Sequence, residues 1–276
     1  QAVLHSDREL ANARCGHVRC DLIHALRHNH AGMKWSGPVS PIIVACVGDS
    51  ITAHGYPRML REKLRLVQPP RGRDGWQVEN YGVSGATAIR QSLQACPYTQ
   101  TLGFKQALAS EADFVLIMFG TNDAREDTWD GRIFVKDLSA IVAAFLRMRD
   151  ASGTAAPSPL RVFLLTPPPL YMYRGNSNGL QGVLHDVIPR QILPFIAKEM
   201  GLGLVDILTP LGGAELRSRW MMDCVDGCHP NDNGNEVIAE VVCQALQACA
   251  LNGELPWQVP PEPSAEAYID DRLGHV

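Results

Sequence analysis

The amino-acid sequence predicts an α/β fold, a three-layer α/β/α sandwich in which a five-stranded parallel sheet lies between helices. Three observations carry this expectation. Five short runs rich in apolar and β-branched residues recur along the chain, the stretches between them carry helical periodicity, and several runs close on Gly followed by polar residues. Parallel neighbours require crossover connections, and those connections cover both faces of the sheet.

Taken in order, residues 6–30 mix Leu10, Val18, Leu22, Ile23 and Leu26 with charged and His positions, which suits an amphipathic helix. Residues 1–38 are therefore expected to form an N-terminal helical extension. Pro41–Val47 is a buried strand closed by Gly48, and Trp76–Tyr81, Phe114–Phe119, Arg161–Thr166 and Gly203–Ile207 repeat the pattern. Helices are expected at Tyr56–Leu66, Gly131–Met148, Leu180–Met200 and Asn233–Ala248, with Pro189 and Pro194 ending or kinking the third. Pro- and Ser-rich stretches at Ala151–Pro159 and Leu255–Glu266 read as a surface loop and part of a tail. The expected division is thus an extension over 1–38, one α/β domain over 39–250 and a Pro-rich tail over 251–276.

Composition narrows the partners. Of 276 residues, 46% are hydrophobic and 20% charged, which places the chain among ordinary globular proteins. The formal charge is −4 and no stretch concentrates Lys and Arg, so neither nucleic acid nor an anionic membrane surface is an expected partner. The apolar runs fall well short of the roughly 18 to 20 residues of a membrane-spanning helix. Eight cysteines permit disulfides without requiring them, and the compartment stays open.

In an open parallel sheet, ligands bind beyond the carboxyl ends of the strands. After the first strand comes Gly48-Asp49-Ser50-Ile51-Thr52, after the second Gly82-Val83-Ser84-Gly85-Ala86-Thr87, and after the third Gly120-Thr121-Asn122-Asp123. Beyond the fifth comes Asp226-Gly227-Cys228-His229-Pro230. A serine at a strand-to-helix turn is exposed at the sheet edge but is a weak nucleophile, so it needs a base, and the base needs a third group to fix its tautomer. Asp226 and His229, sharing one loop, can supply both. The backbone N–H groups of Ser50 and Gly85 and the side-chain amide of Asn122 are candidate donors for a tetrahedral oxyanion.

These four segments, in this order, resemble the sequence blocks of the GDSL/SGNH hydrolase superfamily, whose name letters fall here on Ser50, Gly85, Asn122 and His229. The resemblance runs from about Ile42 to Ala248. It implies a flavodoxin-like sandwich that hydrolyses carboxylic esters, with Ser50 as nucleophile, His229 as base and Asp226, at the Asp-x-x-His-Pro spacing, behind the histidine. Ser50, Gly85 and Asn122 would form the oxyanion hole, with Asp49 and Asp123 in support. It implies no metal and no organic cofactor, and a small-molecule ester as partner, on an acylated carbohydrate or a lipid. Residues 81–87, 114–124 and 166–169 look most like the branch that includes sugar acetylesterases, so an acetyl ester on carbohydrate leads. Lysophospholipase or thioesterase activity, acyl transfer from the same site, and a non-catalytic carbohydrate- or lipid-binding module are the alternatives.

Several residues have rival readings. Ser84 approaches a Gly-x-Ser-x-Gly elbow, but Ala86 stands at the last glycine position. Asp223 is the fallback for Asp226. His54 is expected to contact substrate, and Tyr171, Tyr173 and Arg174 to line a pocket or a plain surface loop. Cys224 and Cys228 form a local disulfide, a redox switch or free packed thiols. His24, His28 and His30 read as a solvated helix face, since no Cys/His set has structural-zinc spacing.

Overall fold

The computed structural model describes residues 40–91, 96–151, 160–171, 180–213, 218–223 and 226–260. The expected N-terminal extension, the three histidines within it, the loop at 152–159, Tyr173, Arg174, Cys224 and the tail beyond 260 lie outside the described residues.

Strand β1 (Ser40–Gly48) leads into the short helix α1 (Ser50–His54), then α2 (Pro57–Arg65) and β2 (Arg73–Asn80). Two-residue strands β3 (Ala86–Thr87) and β4 (Cys96–Pro97) pair with each other, and α3 (Leu102–Leu108) leads to β5 (Phe114–Met118). Next come α4 (Gly131–Ala151), β6 (Arg161–Leu165), a π-helix (Val183–Ile192), α5 (Leu193–Met200), β7 (Gly203–Val205) and α6 (Asp232–Asn252). The five long-range strands form one parallel sheet in the order β2-β1-β5-β6-β7. The expected three layers and five parallel strands are those observed.

Strand alternation sorts the core into two layers. Ala45, Val47, Val115 and Ile117 face a cluster with Phe134, Leu138, Ile141, Val142 and Phe145, the apolar stripe of α4. Val44, Cys46, Leu116 and Met118 face the other way, onto Leu60 and Leu64 of α2 and Ile238, Val242 and Leu246 of α6. Each fully buried Leu or Phe contributes about 1.5–3 kcal/mol, so the helices are held by these stripes rather than by intrinsic propensity.

Two elements depart from regular geometry. The third expected helix is divided at its prolines: Pro189 lies inside the π-helix, and Pro194 stands in the first turn of α5, which follows without a gap. In the π-helix the bonding widens, so that Leu193 N donates to Ile188 O, five residues back. The wider repeat relieves the clash a proline makes with the carbonyl one α-turn earlier. The fifth strand stops at Val205 rather than Ile207, because the N–H groups of Ile207 and Leu208 both donate to Thr166 Oγ1, at 2.8 and 2.9 Å, instead of continuing a ladder. The outer edge of β7 is covered by residues 256–258: Leu204 N donates to Pro256 O at 2.8 Å, and Gln258 N to Leu204 O at 3.0 Å. No helix among the described residues is long and apolar enough to cross a membrane.

Candidate active site

The turn from β1 into α1 puts Ser50 at the carboxyl edge of the sheet. Asp49 caps α1 by accepting from Ile51 N at 2.9 Å. The turn is tight: a Cβ on Gly48 would stand 2.6 Å from Met118 O and 2.3 Å from Thr52 Oγ1.

Although 179 residues separate them in sequence, Ser50 Oγ and His229 Nε2 lie 2.8 Å apart. On the other side of the ring, His229 Nδ1 is 2.5 Å from Asp226 Oδ2. Asp226 Oδ1 accepts from Cys228 N at 2.8 Å and His229 N at 3.0 Å. Burial pushes the Asp226 carboxyl up, but those two backbone N–H groups and the imidazole together hold it below its ordinary value. It is therefore a carboxylate at neutral pH, an acceptor only. A carboxylate there favours the imidazole tautomer with its proton on Nδ1, in which Nε2 is the nitrogen that accepts from the Ser50 hydroxyl.

The loop carrying this pair is fastened from behind. Asp223 Oδ1 accepts from Asp226 N at 3.2 Å and its N–H donates to His229 O at 2.7 Å. Asn231 caps α6 through Gly234 N and donates its side-chain amide to Trp220 O and Met222 O, at 2.7 and 3.1 Å. Gly227, with φ 61°, turns its carbonyl to accept from Tyr171 N at 2.9 Å.

The loop after β2 is docked on α1. Val83 N donates to Gly48 O at 3.0 Å, and Asn80 Nδ2 donates to Thr52 O and Ala53 O at 3.0 Å each. A Cβ on Gly82 would stand 2.3 Å from Ala53 N, so only glycine permits this approach. Ala86 N closes a turn on Val83 O at 3.0 Å, and Gly85, the third residue of that turn, has φ 75° with open space beyond its Cα. From β5, Asn122 reaches across, its Nδ2 donating to Ala86 O at 3.1 Å; its second contact, to Asp49 Oδ2, is a long 3.4 Å. The structure thus brings Ser50, Gly85, Asn122, Asp226 and His229 to one edge of the sheet.

Asp49 and Asp123 are buried. Burial pushes Asp49 up to about 7, with Asp123 adding to the rise and the Ile51 N–H and His229 opposing it. Asp123 is pushed up to about 6 by burial, against backbone N–H donors; its Oδ1 accepts from Ile89 N at 2.8 Å and its Oδ2 has no partner.

Other sequence candidates find different surroundings. Ser84 is exposed and lies 2.7 Å from His54 Nε2, a second Ser–His pair apart from that of Ser50. Among the described residues no carboxylate hydrogen-bonds the His54 ring. Tyr171 does not line an open pocket: it is 4% exposed, and its hydroxyl accepts from Ser218 N at 3.1 Å. Cys228 is a free thiol that burial, helped by Asp49 and Asp226, pushes up to about 12, which removes thiolate reactivity near neutral pH.

Three supporting residues gave no sequence signal. His185, buried in the π-helix, accepts from Leu170 N at 2.9 Å, and Gln181 donates to Leu170 O at 2.7 Å. Burial, with Arg190 nearby, pushes His185 down to about 4, so it is neutral and can accept. Asn80, at the end of β2, is the third.

The family model described as GDSL-like Lipase/Acylhydrolase matches residues 46–237. A curated acetylxylan esterase of Xylanibacter ruminicola is 30% identical over 228 residues, 75% of this chain and 43% of that protein. The chain therefore spans less than half the length of that relative. Among solved structures, the aryl esterase of M. smegmatis superposes with TM-score 0.57 at 18% identity, over 75% of this chain and 99% of that one. Est24, a carbohydrate acetylesterase from Sinorhizobium meliloti, gives 0.52 at 20%, over 75% and 99%. A catalytic mutant of Axe2, an acetylxylan esterase from Geobacillus stearothermophilus, gives 0.55 at 17%, over 82% and 99%. At these identities the structural likenesses establish the fold.

Proposed function

Since the chain belongs to the GDSL-like Lipase/Acylhydrolase family, we propose that it is a serine esterase removing short acyl groups, acetyl foremost, from carbohydrate hydroxyls. The observation that carries this reading is the continuous hydrogen-bonded line from Ser50 Oγ through the His229 ring to the Asp226 carboxylate, at 2.8 and 2.5 Å. The sugar-ester assignment draws on the curated acetylxylan esterase relative.

In the first step His229 Nε2 takes the Ser50 proton as Oγ attacks the ester carbonyl carbon, and Asp226 stabilises the imidazolium that forms. The oxyanion is met by the backbone N–H groups of Ser50 and Gly85 and by the Asn122 amide, whose second hydrogen is held only by the 3.4 Å contact to Asp49. His229 then protonates the leaving alcohol. Water, deprotonated by the same imidazole, attacks the acyl-enzyme, and the acid leaves as Ser50 recovers its proton.

The test compares wild type and Ser50→Ala on p-nitrophenyl acetate, butyrate and octanoate and on acetylated xylooligosaccharides, with mapping of a fluorophosphonate adduct. Activity falling with chain length, release of acetate from the oligosaccharides, and labelling at Ser50 are expected. An equally active mutant would move the nucleophile elsewhere, Ser84 first. An inactive, unlabelled wild type would leave a binding module.

A further inference from the structure

The seam between α1 and the loop after β2 ends in a feature that its architecture does not require. Asn80 holds two carbonyls of α1, Val83 N is tied to Gly48 O, and Gly82 packs against the backbone of Ala53. These contacts already fix the loop. Beyond them, at the solvent end, His54 Nε2 and Ser84 Oγ meet at 2.7 Å with both residues exposed. An exposed hydrogen bond is weakened by competition from water, so little of the seam's stability rests on it.

Its position is informative. Ser84 directly precedes Gly85, and Ala86 carries the carbonyl that holds Asn122. His54 stands one helical turn beyond Ser50 on α1. The pair therefore stands beside the proposed oxyanion donors, Ser84 next to Gly85 and His54 on the helix that Ser50 begins. No described heavy atom lies within 4 Å of where a Gly85 Cβ would stand, so the loop is open to solvent between Ser84 and Ala86. A hydroxyl and an imidazole each donate and accept, and each has capacity left after the bond between them. Neighbouring hydroxyls on a sugar ring present the same duality, whereas an ester of a simple aryl or alkyl alcohol has no free hydroxyl left.

Building on the esterase reading, we infer that His54 and Ser84 form a polar subsite that binds a sugar hydroxyl next to the scissile ester and so sets preference for carbohydrate esters. A site that hydrogen-bonds a substrate hydroxyl discriminates against analogues lacking it, because its own polar groups are then left without that partner.

The experiment measures kcat/KM for wild type, Ser84→Ala and His54→Gln on p-nitrophenyl acetate and on acetylated xylooligosaccharides. The expected result is a fall of about tenfold in the ratio of sugar-ester to aryl-ester kcat/KM in each variant, carried mainly by KM, the worth of one hydrogen bond of about 1.4 kcal/mol. An unchanged ratio, with both substrates affected alike or neither affected, overturns the subsite and leaves a structural latch. A wild type that cleaves the aryl ester but releases no acetate from the oligosaccharides overturns the carbohydrate reading and the subsite together. A wild type inactive on both overturns the esterase reading first.

Discussion

Asp49 gives the most quantitative handle on this site. It is 1% exposed, and burial pushes its carboxyl from about 4 to about 7, against the Ile51 N–H and His229 and with the help of Asp123. Between those values the folded chain keeps a proton that the unfolded chain has released. Stability therefore falls as pH rises through that window and levels off above it. At about 1.4 kcal/mol for each tenfold change in proton affinity, the penalty between pH 5 and pH 8 is roughly 3 kcal/mol. Asp49→Asn keeps an oxygen acceptor for Ile51 N and cannot ionise. Asp123, pushed up to about 6, works in the same direction, while His185, pushed down to about 4, works in the opposite one. Both are present in wild type and variant and cancel in the comparison, apart from the coupling between the two carboxyls. Urea unfolding at pH 5 and pH 8, followed by tryptophan fluorescence, should show wild type losing roughly 3 kcal/mol more than the variant. Parallel pH dependences would refute the claim that Asp49 is held protonated by burial.

Three other changes bear on the same site. Asn122→Ala removes a proposed oxyanion donor and should lower kcat on p-nitrophenyl acetate by about 10²–10³ with little change in KM; a change confined to KM would assign the amide to ground-state binding. Asp226→Asn would leave an amide facing Nδ1, favour the tautomer with the proton on Nε2 and deprive Ser50 of its acceptor. A loss of about 10⁴ in kcat is expected, and a loss below tenfold would remove Asp226 from the proposed relay. Gly82→Ala places a Cβ 2.3 Å from Ala53 N, a backbone clash that should cost about 1–3 kcal/mol. Thermal denaturation reads it directly, and an unshifted Tm would mean that the loop moves freely on α1.

What was legible in the sequence divides along the range of the interactions involved. The strands at Phe114–Met118 and Arg161–Leu165 and the helix from Gly131 could be read because a buried strand or a helical stripe writes its own periodicity. Pro189 and Pro194 marked where the third helix is irregular but not its form, because whether a helix widens to pass a proline depends on what packs around it. The short end of β7 depended on Thr166, a hydroxyl some 40 residues away in the chain. In the site, Asp226 and His229 were readable as a pair because only two residues of one loop separate them. Asn80, Asn231 and His185 were not, since an isolated Asn or His shows its purpose only once its distant carbonyl or amide partner is known.

Three aspartates surround Ser50, and their environments separate them. Asp49 receives one close N–H and a long amide contact, and Asp123 has an oxygen with no partner; both are sealed from water. Asp226 is 42% exposed at its side chain and receives two backbone N–H groups on one oxygen and the imidazole on the other. Burial without enough donors favours the acid, and donors with access to water favour the carboxylate. Below about pH 6 to 7, then, the one of these charges that survives lies on the Nδ1 side of His229, where an imidazolium forms in the proposed mechanism. A second carboxylate at Asp49, beside the Asn122 amide, would compete with an oxyanion for the donor proposed to receive it. Below about pH 7, where burial keeps Asp49 protonated, the proposed mechanism has that amide left to meet charge developing on the substrate.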